Sequence, residues 1–128
     1  MEIGESRSAR IDSRKPWNET GIHLTAGEQY HLRAVGAWID WKKSCDANGY
    51  DSINRVQQFS ERLRRVPGER WFTLIGSIGR DGRELFPIGA DRAYSPRTSG
   101  NLFCFANDVR IAYWNNHGTI MLTVMRVG

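Results

Sequence analysis

The feature that most constrains the fold of this chain is a recurring alternation of apolar and polar side chains. Every second residue from Tyr30 to Ala34 is apolar, and Ile120, Leu122 and Val124 line one face of a C-terminal segment. A period of two is the pattern of a β-strand with one buried face. Gly, Pro, Asn and Asp occupy the stretches between such segments, which favours tight turns and therefore a sandwich or barrel of short strands. We predict an all-β fold, a β-sandwich, in one domain spanning residues 1–128.

Other segments support the same fold class. Residues 71–78 and 102–106 are mostly apolar, as strands buried on both faces would be. Three further segments complete the set of predicted strands: residues 21–26, 38–41 and 119–127.

A helical insertion is predicted around residues 52–66. Four apolar residues recur there at 3-4-3 spacing, which forms one apolar stripe on a helix: Val56, Phe59, Leu63 and Val66. Asp51 or Ser52 can cap the start of this helix, and Pro67-Gly68 would end it. We expect a helix of about four turns, inserted between two strands of the sandwich.

Composition limits the classes of protein to consider. The chain has 128 residues, and no apolar run approaches the roughly 18–20 residues of a membrane span. Residues 1–7 are polar, so no signal peptide is expected there, and cytoplasmic location and export by another route both stay open. Cys45 and Cys104 are too few for a disulfide framework, and we expect Cys104 to act as a small buried hydrophobe.

Neither catalysis nor nucleic-acid binding has a clear signature. The net charge is +4, and the dense basic cluster of Arg62, Arg64 and Arg65 is expected to be a solvated helix face. No nucleophile elbow, phosphate-binding glycine loop or Cys-x-x-Cys pair occurs, and the histidines lack the spacing of a helical zinc site. We therefore expect a non-enzymatic protein without a nucleic-acid partner.

An oxygen-rich loop between residues 107 and 118 is the strongest functional signal. It contains Asn107, Asp108, Asn115 and Asn116 within ten residues. Calcium takes six to eight oxygen ligands from carboxylates, amides and backbone carbonyls, which such a loop can supply. The same residues also favour β-turns, and composition alone leaves both interpretations open.

The residues around this loop carry a family resemblance. The run Ser-Gly-Asn-Leu-Phe-Cys-Phe-Ala-Asn-Asp-Val at 99–109, followed by Tyr-Trp-Asn-Asn-His-Gly-Thr at 113–119, resembles the bacterial calcium-dependent galactophilic lectins of the PA-I type. Thr20-Gly21-Ile22, Ala34-Val35-Gly36 and residues 74–79 resemble the family in the same order. The resemblance implies a galactose-binding-domain-like, jelly-roll-like antiparallel β-sandwich.

The resemblance also implies a ligand set. The side chains of Asp108, Asn115 and Asn116, with the carbonyls of Ala112 and Asp40, would bind calcium and leave places for two neighbouring sugar hydroxyls. The expected function is calcium-dependent binding of galactose or a galactoside, and self-association is plausible because it adds avidity to a weak site. The residues expected to contact the sugar are Asp108, Val109, Trp114, Asn115 and Asn116. Asn48 and Asp51 are further candidates, from a second contact loop at residues 42–54.

Three differences from the family pattern affect the sugar more than the metal. Arg110-Ile111 replaces a Pro-Gly pair, Trp114 replaces a small residue, and the second contact loop has no clear match in residues 42–54. Trp114 could stack on a sugar ring or fill the edge of the sandwich. The alternative function is a protein-interaction module on the same sandwich, with a degenerate sugar site and the arginine-rich helix as working surface.

Overall fold

The computed structural model describes residues 1–128, which form eleven strands in three antiparallel sheets. In chain order the strands are β1 (Ser6–Asp12), β2 (Asn18–Leu24), β3 (Tyr30–Gly36), β4 (Trp38–Asp40), β5 (Lys43–Cys45), β6 (Leu74–Ile78), β7 (Leu85–Pro87), β8 (Asp91–Tyr94), β9 (Gly100–Ala106), β10 (Asn116–His117) and β11 (Thr119–Arg126). The large sheets have the orders β1-β11-β3-β8 and β2-β9-β6-β7, and β10, β4 and β5 form a third. The predicted all-β antiparallel sandwich is confirmed.

The alternation of side chains builds the core between the two large sheets. Ile120, Leu122 and Val124 of β11 are buried, whereas Met121 and Met125 lie on the exposed side. One cluster of 21 buried residues draws on both large sheets and closes the space between them. Each fully buried large apolar side chain contributes about 1.5–3 kcal/mol, so this cluster is the main source of stability.

Five strands lack the pattern that identified the others: β1, β5, β7, β8 and the two-residue β10. β1 has only Ala9 and Ile11 as apolar residues, yet it pairs with β11 over seven residues, from Ser6 opposite Met125 to Asp12 opposite Thr119. Backbone pairing with a strongly patterned neighbour, rather than its own side chains, holds β1 in the sheet.

The helical insertion is much shorter than predicted, and its apolar stripe faces solvent. Helix α1 spans Arg55–Ser60 and is followed by a 3-10 turn at Glu61–Leu63. Val56 is 75% exposed and Phe59 is 81% exposed. The prediction of four helical turns is therefore wrong.

Tertiary hydrogen bonds explain why this helix ends early. The N-terminal cap is Asn54, because Ser52 instead bonds the Glu61 carboxylate (2.5 Å) and the Trp71 indole (2.8 Å). Arg64 then takes an extended conformation and bridges to Val109, and the amide of Arg65 donates to the Asp108 carbonyl. Pairing with the segment after β9 replaces helical bonds at this point.

The fold also bears on what was expected of the two cysteines and of Arg65. Both cysteines are free thiols, Cys45 half-buried and Cys104 fully buried. Arg65 is not on a solvated face, because its guanidinium lies 3.4 Å from the ring centre of Phe105. No helix in the structure has the length and apolar character needed to cross a bilayer.

Candidate functional site

The oxygen-rich loop begins where β9 ends, and Asn107 fixes its position. Asn107 is fully buried, and its Oδ1 accepts a hydrogen bond from the amide of Val66 (3.0 Å). Its Nδ2 donates to the carbonyls of Val66 (2.9 Å), Glu69 (3.1 Å) and Arg70 (3.0 Å). These four bonds tie the loop before β6 to the end of β9, so the amide oxygen of Asn107 is already satisfied.

Asp108 and Asn116 come together beneath the loop. Asp108 is 3% exposed; its Oδ1 accepts from the amide of Val109 (2.7 Å), and its Oδ2 accepts from Asn116 Nδ2 (3.1 Å). The second proton of Asn116 Nδ2 goes to the carbonyl of Ser13 (2.9 Å). Both donors of this amide are therefore used, which fixes the orientation of the amide group.

Two amide oxygens at this place have no hydrogen-bond donor. With Nδ2 bonded twice, Asn116 Oδ1 is buried and unpaired, and Asn115 Oδ1 is also buried and unpaired. Buried polar atoms in folded proteins are nearly always hydrogen-bonded, so two buried oxygens without a donor in adjacent residues call for an explanation. Amide oxygens beside a carboxylate form a donor set that suits a hard cation such as calcium.

Asp40 brings a second carboxylate to the same place. Strand β4 pairs with β10 so that Asp40 lies opposite Asn116, and the amide of Trp41 donates to the Asn115 carbonyl (3.2 Å). Alternate residues of a strand direct their backbone groups to opposite neighbours, so the Asp40 carbonyl points toward β5, where Lys43 is its partner. The structure therefore places the carboxylate of Asp40, rather than its carbonyl, toward the site.

The two carboxylates repel each other and have no basic partner. Burial, together with the charge of Asp40, raises the pKa of Asp108 to about 6, and burial also raises the pKa of Asp40. Neither carboxylate forms an ion pair with a lysine, arginine or histidine. A bound cation would favour the ionised form of both groups.

The candidate site combines carboxylates with amide oxygens, unlike a metal site built only of His, Cys, Asp and Glu side chains. No group of three or more His, Cys, Asp or Glu side chains converges anywhere in residues 1–128. The donors here are two carboxylates and two amide oxygens, a mixture that calcium accepts and that zinc sites rarely use.

A cleft of about 390 Å³ opens beside Asp40 and Asn115. Trp41 forms part of its wall with its indole 64% exposed. Tyr50 lies deeper, donates to Asp40 Oδ2 (2.5 Å) and accepts from Gln57 Nε2 (2.6 Å). An aromatic wall with a few fixed polar groups is the usual composition of a small-molecule site.

The remaining residues predicted for the loop lie in the same loop as Asp108, Asn115 and Asn116 but make different contacts. The amide of Ala112 donates to the Val109 carbonyl (3.0 Å), which closes a turn over residues 109–112, directly before the 3-10 turn at Tyr113–Asn115. Trp114 is 72% exposed and does not line the cleft beside Asp40. Its indole is thus neither filler of the sandwich edge nor part of this wall.

The two sugar contacts suggested for the second loop lie outside the cleft. Asn48 Oδ1 accepts from the amide of Ala90 (2.8 Å), so this side chain ties its loop to β8. Asp51 is exposed and forms an ion pair with Arg70 (3.2 Å). The geometry gives no support to these two predictions, and Tyr50, Asn54 and Gln57 occupy the expected place.

Sequence reasoning missed Ser13, Trp41, Tyr50 and Gln57. Ser13 contributes only its carbonyl, and any residue can provide a carbonyl. Tyr50 belongs to no regular strand and reaches the site because it bridges to Trp71. Trp41, at the end of the predicted strand 38–41, was the one detectable signal, because exposed aromatic residues often mark binding sites.

Comparisons with known proteins bear on the fold. No protein-family model matches the sequence, and no curated protein matches it. Among solved structures, the chain is similar to one described as the EclA N-terminal domain, a PllA-like lectin. The TM-score is 0.70 at 22% sequence identity, over 93% of this chain and 94% of that one. The likeness establishes a shared fold; what the site binds has to be argued from its own residues.

Proposed function

We propose that this chain is a non-enzymatic, calcium-dependent carbohydrate-binding protein, with galactose or a related sugar as ligand. The observation that carries the proposal is the pair of unpaired buried oxygens, Asn115 Oδ1 and Asn116 Oδ1, beside two carboxylates. Leaving a buried polar atom unpaired costs about 1–3 kcal/mol. A cation bound by both oxygens would remove this cost and the repulsion between Asp40 and Asp108.

The chain would hold calcium through oxygen atoms alone. Asp108, Asn115 and Asn116 are the proposed side-chain ligands, the Asp40 carboxylate is near enough to contribute charge, and the Ala112 carbonyl is the expected backbone ligand. When bound, calcium would supply positive charge and coordination places for two neighbouring sugar hydroxyls. The protein itself would orient the sugar and exclude water from one of its faces.

The cleft supplies groups for that orientation. The exposed indole of Trp41 suits the apolar face of a pyranose ring, and Gln57, whose Nε2 is bonded to Tyr50, is fixed in position. Galactose is proposed as the first sugar to test because the loop resembles galactose-binding lectins. The solved structure of similar fold is described as a lectin, which supports carbohydrate as the ligand class.

Calcium binding is tested first, by isothermal titration of chelator-treated protein with calcium chloride. We expect one saturable site in the wild type and an affinity about tenfold or more lower in Asp108→Asn, because one ligand charge is lost. Asp46→Asn is the matched control, since Asp46 is exposed and lies outside the cleft. Equal calcium binding by wild type and Asp108→Asn would contradict the proposed metal site.

Sugar binding is tested on a glycan array with calcium and with chelator. We expect galactose-terminated glycans to bind only in calcium, and Trp41→Ala to weaken binding while calcium affinity is retained. Glycan binding that persists in chelator would separate the sugar site from the metal and overturn this mechanism.

The exposed apolar side chains of α1 and the 3-10 turn after it favour the second candidate, a protein-interaction module. Val56, Phe59 and Leu63 all face solvent. A Val56→Ser/Phe59→Ser variant that loses a protein partner, in a chain that binds no calcium, would support this alternative and exclude the first.

A further inference from the structure

The outer face of the β2-β9-β6-β7 sheet carries aromatic residues. Leu102, Cys104 and Ala106 of β9 belong to the core, so Phe103 and Phe105 point outward. The indole of Trp17 packs edge-on against both rings, with ring centres 6.2 Å and 5.4 Å apart. This arrangement forms an apolar floor on the side of the sheet that faces away from the core.

Arg65 lies on this floor without an acidic partner. Its guanidinium is 3.4 Å from the ring centre of Phe105 and 4.6 Å from that of Trp17. Its Nη1 donates to the hydroxyl of Tyr113 (2.9 Å) and to the carbonyl of Pro16, both neutral groups. Nε is buried and has no acceptor. Arg65 is half-buried, and a charged group withdrawn from water is usually paired with an opposite charge, so this guanidinium has unused capacity for an anion.

Two more arginines converge on the same place. A cavity of about 160 Å³ is lined by Arg65, Arg80 and Arg110 over the floor of Trp17 and Phe105. Its one acidic lining residue, Asp81, is already engaged by the side chain and the amide of Arg83. The pKa of Arg65 is lowered, mainly by burial and also by the neighbouring charge of Arg110. This indicates that no acidic group balances the positive charge of these arginines.

The size and chemistry of the cavity limit the ligand. Guanidinium groups bind carboxylate, sulfate and phosphate through paired N–H donors, and they do so more strongly away from water. At about 30 Å³ per water molecule, 160 Å³ corresponds to about five waters, which is enough for one oxyanion and part of a ring. A long oligosaccharide would not fit inside.

We infer that this cavity is an oxyanion-binding site, in which Arg65, Arg80 and Arg110 bind one carboxylate, sulfate or phosphate group. The aromatic floor would contact the apolar part of the molecule that carries the group. None of its lining residues borders the cleft beside Asp40. Arg110 does lie in the same loop as the proposed calcium ligands, and the Arg65 amide donates to the Asp108 carbonyl. It goes beyond the proposed calcium-dependent function and does not require it.

The experiment is titration of the full chain with sodium sulfate and sodium phosphate at constant ionic strength, with chloride as reference, in the presence of chelator. Binding is followed by calorimetry and by tryptophan fluorescence, since Trp17 lines the cavity. We expect saturable binding, reduced about tenfold or more in Arg80→Gln/Arg110→Gln.

Arg80 and Arg110 are exposed, so this variant should fold. Arg10→Gln, an exposed arginine on the other large sheet, is the matched control and should bind as wild type does.

A second arm identifies the source of the oxyanion. Galactose 6-sulfate and glucuronic acid are compared with the free anions and with unmodified galactose, again in chelator. Tighter binding of the sugar-borne anions assigns the site to acidic glycans, whereas equal binding assigns it to free oxyanions. If no anion binds more tightly than chloride, or if the double variant binds as wild type does, the inference is wrong.

Discussion

Replacing Asn107 by aspartate tests whether this residue holds the fold or binds the metal. The change keeps the acceptor for the Val66 amide but turns Nδ2, which donates to three carbonyls, into an oxygen. Nδ2 has two protons, which the three carbonyls share, so at about 1.5 kcal/mol for each donor lost the expected loss is about 3 kcal/mol before repulsion between the oxygens is added. Since unfolding entropy is about 2.1 cal/mol/K per residue, this lowers the melting temperature by about 11 °C.

Urea denaturation followed by circular dichroism measures this loss, in calcium and in chelator. Asn101→Asp is the matched control, because Asn101 is exposed on β9, the strand that leads to Asn107, and it should change stability by less than about 0.5 kcal/mol. A residue that bound calcium would behave differently, since an added carboxylate would raise calcium affinity. Stability near wild type together with tighter calcium binding by Asn107→Asp would refute the structural role.

Three further perturbations have definite expected outcomes. Calcium at about 100 times its dissociation constant should stabilise the fold by about 2.7 kcal/mol, raising the melting temperature by about 10 °C in calorimetry, and no shift would count against the site. The net pKa of Glu84 is lowered: burial acts to raise it, but hydrogen bonds from Tyr94, Arg97 and Thr98 outweigh burial. The stability that this carboxylate provides is therefore lost as pH falls through the lowered pKa. Glu84→Gln should therefore destabilise at pH 7 and flatten the acid side of the stability profile measured by urea titration; an unchanged profile would contradict this. Gly49→Ala should cost about 2 kcal/mol or more, because its φ is +74° and a Cβ would lie 2.2 Å from the Trp71 carbonyl oxygen, whereas Gly68→Ala, with open space around it, should be close to neutral.

The strands that could be predicted are those whose own side chains divide between core and solvent. Residues 30–34 and 119–127 show this division directly and form β3 and β11. β1 and β5 could not be found in this way, because neighbouring backbone holds them and few of their side chains enter the core. A pattern based on burial detects strands that build the core and misses strands that only complete a sheet.

The candidate site was predictable only where its donors are close in sequence. Asp108, Asn115 and Asn116 belong to one loop, and their oxygen chemistry is visible without a structure. Asp40 was found through the family resemblance, but with its carbonyl assigned in place of its carboxylate. Tyr50 could not be found, because its position depends on pairing with Trp71, 21 residues later in the chain.

The failed helix prediction and the support of the oxygen-rich loop have the same structural origin. If residues 64–66 had continued the helix, the Arg65 amide could not donate to the Asp108 carbonyl (3.1 Å), and the Val66 amide could not donate to Asn107 (3.0 Å). The extended backbone that replaces the last helical turn also turns the Arg65 side chain onto Phe105 and Tyr113, where it lines the oxyanion cavity. One short segment thus fixes Asp108 through its backbone and supplies Arg65 through its side chain.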